Sequence, residues 1–139
     1  MKLENIEGIG PVRAAKLREA GVRSVESLLR LCCDARGRKA YAERSGFDAS
    51  LLLAWVNRAD LMRVKGVSTQ YSDLLEAAGV DTVKELATRV PENLTATMTA
   101  CNDETKLRTG KALVRRTPSI KEVEGWVAQA KTLRPLVTH

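Results

Sequence analysis

Apolar residues along this chain recur at three- and four-residue intervals and nowhere alternate strictly over the length of a strand, so the pattern predicts helices throughout. Leu52, Trp55, Val56, Ala59 and Met62 keep helical spacing, with Asp48 placed to cap the start. Ile120, Val123, Trp126, Val127 and Ala130 repeat that spacing near the other end, after Thr117-Pro118-Ser119. The expected fold class is all-α.

The pattern also recurs at long range. Sliding residues 6–28 onto residues 64–86 without a gap aligns Gly8 with Gly66, Leu17 with Leu75, Ala20 with Ala78, Gly21 with Gly79, Val22 with Val80, Val25 with Val83 and Leu28 with Leu86. The matches are glycines and apolar residues, so a backbone path and its core contacts are what repeat. In each copy Gly8 or Gly66 supplies a tight turn, and Ile9 or Val67 points inward. A helix follows, opened in the first copy by Pro11 and ended by Gly21. In the second copy Ser68 is the expected cap and Gly79 the end, with Thr82 and Glu85 forming a capping box for the next helix. Ser24 holds the equivalent cap in the first copy.

These matches divide the chain into a first repeat, residues 1–60, and a second, divergent one, residues 61–139, packed into one compact domain. Trp126 takes the place of Trp55, but thirteen residues later than the offset of the glycine turns requires. The polar stretch NLTATMTACNDET, near residues 90–105, is where that insertion is expected.

Composition narrows the class. With 44% hydrophobic and 29% charged residues among 139, the chain is that of an ordinary soluble globular protein, without an apolar run of membrane-spanning length. The start, MKLENIEGIG, lacks the apolar core of a signal peptide, and Cys32, Cys33 and Cys101 do not make a disulfide framework. A reducing, cytoplasmic location is expected. The formal charge of +6 favours a polyanionic partner, and its distribution is uneven. Residues 1–60 carry 11 Lys/Arg against 8 Asp/Glu, residues 61–103 carry 4 against 6, and residues 104–139 carry 8 against 3.

The stretch IEGIGPVRAAKLREAGVRSVESL resembles the helix-hairpin-helix superfamily, most closely the hairpin module of archaeal recombinases and of many repair proteins. Residues 37–67, GRKAYAERSGFDASLLLAWVNRADLMRVKGV, resemble a bacterial family of unknown function built from tandem hairpins of this kind. The resemblance implies sequence-independent binding of a nucleic-acid backbone, duplex DNA above all, by a non-enzymatic module. A glycine turn leading into a helix leaves amides unpaired at the positive end of the helix dipole, which suits a phosphate oxygen. Gly8, Ile9, Gly10, Arg13 and Lys16 would form that site, with a weaker contribution from Lys65 and Gly66. Arg108, Lys111, Arg115 and Arg116 are candidates for a second basic surface.

The second copy departs from this pattern. Ser68 replaces Gly10, while Tyr71 and Leu74 stand where Arg13 and Lys16 stand. A protein-interaction or self-association surface built on Tyr71 and Leu74 is therefore the alternative reading. Other chemistry has little to work with. His139 is the single histidine and stands at the end of the chain, so a histidine-based catalytic set is not expected. The cysteines lack zinc-site spacing, and Thr109-Gly110-Lys111 lacks the upstream glycine of a nucleotide loop. No cofactor or metal is expected. Trp55 and Trp126 read as core anchors.

Overall fold

Hydroxyl and carboxylate side chains start most of the helices. The computed structural model describes residues 1–139 and contains a 3-10 turn at Leu3–Asn5 followed by eight α-helices, with no strand. These are α1 (Pro11–Glu19), α2 (Val25–Cys32), α3 (Ala35–Ser45), α4 (Ala49–Leu61), α5 (Thr69–Ala77), α6 (Val83–Leu86), α7 (Pro91–Thr109) and α8 (Ile120–Ala130). Ser24, Asp34, Ser68, Thr82 and Ser119 each accept a hydrogen bond from the amide three residues on. That bond satisfies one of the amides a helix start leaves without a partner. α1 and α7 begin instead with Pro11 and Pro91, whose missing N–H costs nothing there. The Thr82 box closes one residue off its expected register. Glu85 donates its amide to Thr82 Oγ1, but its carboxylate accepts from Asp81 N at 3.4 Å.

The chain forms two compact units, one of residues Met1–Asp60 with Leu136–His139, the other of Leu61–Pro135. The first unit runs to residue 60, and the last four residues of the chain return to it. Thr138 donates its amide to the Cys33 carbonyl at 2.8 Å, and its carbonyl accepts from Arg38 at 2.6 Å.

Within the first unit, Ile6, Ile9, Leu17, Leu28, Leu52, Trp55 and Val56 are buried. Within the second, Val64, Val67, Leu75, Leu86, Val123, Trp126 and Val127 share one core. The matched positions make matched backbone bonds. Ile9 donates to the Ile6 carbonyl and Val67 to Val64, both at 3.1 Å; Val22 donates to Leu17 at 2.8 Å and Val80 to Leu75 at 2.9 Å. At the edges of the predicted apolar sets, Met62 lies just beyond α4 and is half-buried, and Ile120 is 42% exposed.

The polar stretch expected as an insertion is the body of α7. Its threonines fit a helix because Thr95, Thr97, Thr105 and Thr109 return their hydroxyls to the carbonyls four residues back. Leu94, Met98 and Asn102 are its buried positions, one turn apart. The Asn102 side chain holds the loop that follows, donating to the Val114 carbonyl at 3.1 Å and accepting its amide at 3.0 Å. No helix is long and apolar enough to cross a membrane.

Two stability predictions follow from these contacts. Gly8 and Gly66 have φ of +91° and +94°, and a Cβ at Gly66 would lie 3.1 Å from Trp126 Nε1, against 3.5 Å from Trp55 Nε1 at Gly8. Gly66→Ala therefore destabilises more than Gly8→Ala, each by at least about 1 kcal/mol from the backbone alone, as read from urea unfolding midpoints. At α8, Glu122 is held down to about 2, chiefly by the Arg116 guanidinium and then by the Ser119 amide. A lowered folded pKa adds stability that is complete above the ordinary carboxylate range and is lost as pH falls toward the folded value. Glu122→Gln keeps the capping geometry and flattens the stability profile between pH 4.5 and about 2, leaving its shape near neutrality unchanged.

Candidate functional site

The first glycine turn and the start of α1 bring Gly8, Ile9, Gly10, Arg13 and Lys16 together, with all but Ile9 exposed. Only Gly8 has the left-handed backbone that favours glycine. Gly10 is the N-cap of α1 with φ −81° and ψ −179°, an extended conformation open to any residue, and nothing stands within 4 Å of where its Cβ would be. It offers no side-chain cap. The first amide of α1 to bond back along the chain is Ala14 N, to the Gly10 carbonyl at 2.9 Å, so the Val12 and Arg13 amides have no intrahelical partner.

Behind the turn stands an aromatic pair that the sequence reading did not connect to it. Phe47 and Trp55 meet edge to face, with ring centroids 5.2 Å apart and planes at 82°. The Arg13 guanidinium lies 5.7 Å from the Trp55 centroid and Lys16 Nζ lies 6.0 Å from that of Phe47. The negative ring faces hold both cations near the surface they share. Arg13 also donates to the Gly8 carbonyl at 2.9 Å, and Arg58, one turn beyond Trp55, donates to the Glu7 carbonyl at 2.8 Å. The turn is thus held from α4 by a ring and a guanidinium. The i, i+3 spacing of Trp55 and Arg58 was the available signal, and nothing local pointed to Phe47. Arg18, also on α1, is paired with Glu4 at 2.7 Å.

The second turn satisfies its own groups. Ser68 Oγ accepts from Tyr71 N at 3.3 Å, the position equivalent to the Arg13 amide. The Lys65 amide donates to Gln129 Oε1 at 2.9 Å, so Lys65 and the exposed Gly66 present one amide fewer than expected. Tyr71 replaces the cation over the tryptophan, its ring tilted on Trp126 at 5.2 Å and its hydroxyl donating to the Arg116 carbonyl at 3.0 Å.

The two residues of the expected protein-interaction face are placed differently from one another. Leu74 has no exposed surface and belongs to the core of the second unit, while Tyr71 packs against that core. The stripe is apolar because it is interior. The second basic group is also altered. Arg108 pairs with Glu104 at 3.3 Å and Arg116 with Glu122 at 2.8 Å, leaving Lys111 and Arg115 as the exposed cations of that set without a carboxylate contact. No group of three or more His, Cys, Asp or Glu side chains stands together to hold a metal ion. Burial pushes the Cys32 thiol up to about 11, which keeps it protonated and unreactive.

No curated protein and no solved structure matches this chain. A family profile does, over residues 7–133, which is nearly its whole length. The chain therefore belongs to the family described as Domain of unknown function (DUF4332).

Proposed function

We propose that the first unit binds the backbone of duplex nucleic acid, without reading sequence and without catalysis, at the turn Gly8–Gly10 and the first turn of α1. The reading treats both glycine turns as helix-hairpin-helix modules, of which one retains a ligand and the other is structural. A single observation carries it: the glycine at position 10 is demanded neither by backbone conformation nor by packing. Glycine there gives a phosphate oxygen access to the Val12 and Arg13 amides, at the positive end of the α1 dipole. Arg13 and Lys16, steadied on Trp55 and Phe47, supply the charge for that phosphate or the next one. Three free thiols suit a reducing cytoplasm, where such a protein would meet nucleic acid.

Magnitudes limit the affinity. If roughly four phosphates are neutralised, the logarithmic salt slope is about −3.6 and affinity falls about 150-fold between 50 and 200 mM salt. Binding at physiological salt then needs Lys111 and Arg115, or a second copy, as an additional contact.

The test is fluorescence anisotropy with a labelled duplex at low and high salt. Lys16→Glu abolishes binding at low salt, and duplexes of unrelated sequence bind alike. Gly10→Ser installs the cap that Ser68 provides in the second turn. It lowers affinity at least about tenfold while leaving stability unchanged or higher by a few tenths of a kcal/mol. No binding by the wild type at low salt, or a Gly10→Ser curve that overlays it, would sink the reading.

A further inference from the structure

The C-terminus of α2 is finished by atoms from a distant part of the chain. A helix end leaves its last carbonyls without partners, and the cap of α2, Cys33, has ordinary right-handed geometry with φ −68° and ψ −23°, so no left-handed turn folds back to satisfy them. Two other groups do so. Arg38, on the next helix and only 4% exposed, donates to the Cys32 carbonyl at 3.1 Å. Thr138 donates its amide to the Cys33 carbonyl at 2.8 Å and accepts from the other guanidinium nitrogen of Arg38 at 2.6 Å. Both backbone groups of one residue outside any helix are read, as when a peptide adds to an open edge. α3 comes close enough for this because residue 37 is glycine: a Cβ there would lie 2.0 Å from the Leu31 carbonyl oxygen.

Two residues before Thr138, Leu136 lines a cavity of about 280 Å³ with Leu29, Cys33, Glu26 and Arg30. It forms one wall and remains 36% exposed, so it does not fill the cavity. The site thus has a backbone clamp and an apolar socket in register, and its present occupant is only partly seated.

We propose that this corner of α2 and α3 is a receptor for an extended segment, and that copies of the chain exchange their Leu136–His139 segments through it. The occupant is argued from the fit itself. The segment that presents a leucine two residues before the clamped backbone is the one every copy carries. Its hold is two hydrogen bonds to the Thr138 backbone, one incompletely buried leucine and the half-buried Val137, a small area to oppose release. Pro135, with its fixed φ, stands immediately before the segment as a stiff hinge, which favours a segment that leaves as a unit. A segment arriving from a second copy seats its leucine without the constraint of its own chain.

Sedimentation of the full chain over 10 µM to 1 mM tests the exchange. A tethered segment competes at an effective concentration on the order of millimolar, so the chain is monomeric at the low end and shifts toward dimer at the high end. Thr138→Pro, which removes the clamped amide, abolishes the shift. In a second arm, the full chain carrying Leu136→Asp and Thr138→Pro is ¹⁵N-labelled and titrated with a peptide of residues 134–139. Saturable amide shifts are expected at Cys33, Gly37 and Arg38. The same peptide with proline at its threonine position binds at least tenfold more weakly, as does the native peptide to the wild-type chain. A wild type that stays monomeric at 1 mM, or a folded double variant that ignores the native peptide, overturns the proposal.

Discussion

Each unit depends on a left-handed glycine turn held against a tryptophan. Gly8 under Trp55 and Gly66 under Trp126 lie close enough to the indole nitrogens that a methyl group would touch them, at 3.5 and 3.1 Å. The contact does more than fill space. It points Ile9 or Val67 into the core, and it aims the following helix start outward. The residue one turn after each tryptophan then secures the residue before the glycine: Arg58 takes the Glu7 carbonyl, and Gln129 takes the Lys65 amide. One helix face thus sets both the position of the turn and the direction of the amides beyond it.

Identical turns can serve different ends because the helix start they produce has unmet hydrogen-bonding capacity, and that capacity can be met from inside or outside the protein. In the second unit it is met from inside. Ser68 covers the third amide, Tyr71 lies on the indole, and Leu74 enters the core. In the first unit, glycine leaves the equivalent amide open, a guanidinium takes the place of the tyrosine ring, and a lysine takes the place of the leucine. Each exchange is small in volume and large in chemistry. All three run in the same direction, toward groups that attract an anion, and this agreement among independent positions is why the first turn is the one proposed to hold a ligand.

Much of this was legible in the sequence because it is locally encoded. The glycine turns, Pro11, the Ser24 and Ser68 caps and the apolar faces around Trp55 and Trp126 all follow from residues within a few positions of one another. What was not legible depends on distant partners. Leu74 read as surface because its helical spacing made a wide apolar stripe, and only the packing of the second unit shows the stripe to be interior. α7 was hidden because Asn102 occupies an interior position and its threonines satisfy their hydroxyls on the helix itself. Arg108 and Arg116 looked available until their carboxylate partners were in view. Phe47 sits in the short link before α4, and its support of Lys16 arises from a contact no periodicity encodes.

The placement of charge follows the same logic and changes what the net value of +6 means. Arg18, Arg89, Arg108 and Arg116 are each within 3.3 Å of a carboxylate, so four of the 23 Lys and Arg side chains are locally balanced. Arg38 is buried and spends its donors on two carbonyls, where it organises the end of α2 and contributes little to the surface field. What reaches solvent beside an open helix start is Arg13 and Lys16. Because exposed pairs are screened within about 8 Å at physiological ionic strength, only charges adjacent to the amides add usefully to a phosphate contact. Under the proposed function, the sum steers a polyanion toward the protein, and those two side chains and the glycine between the turn and α1 decide where it stays.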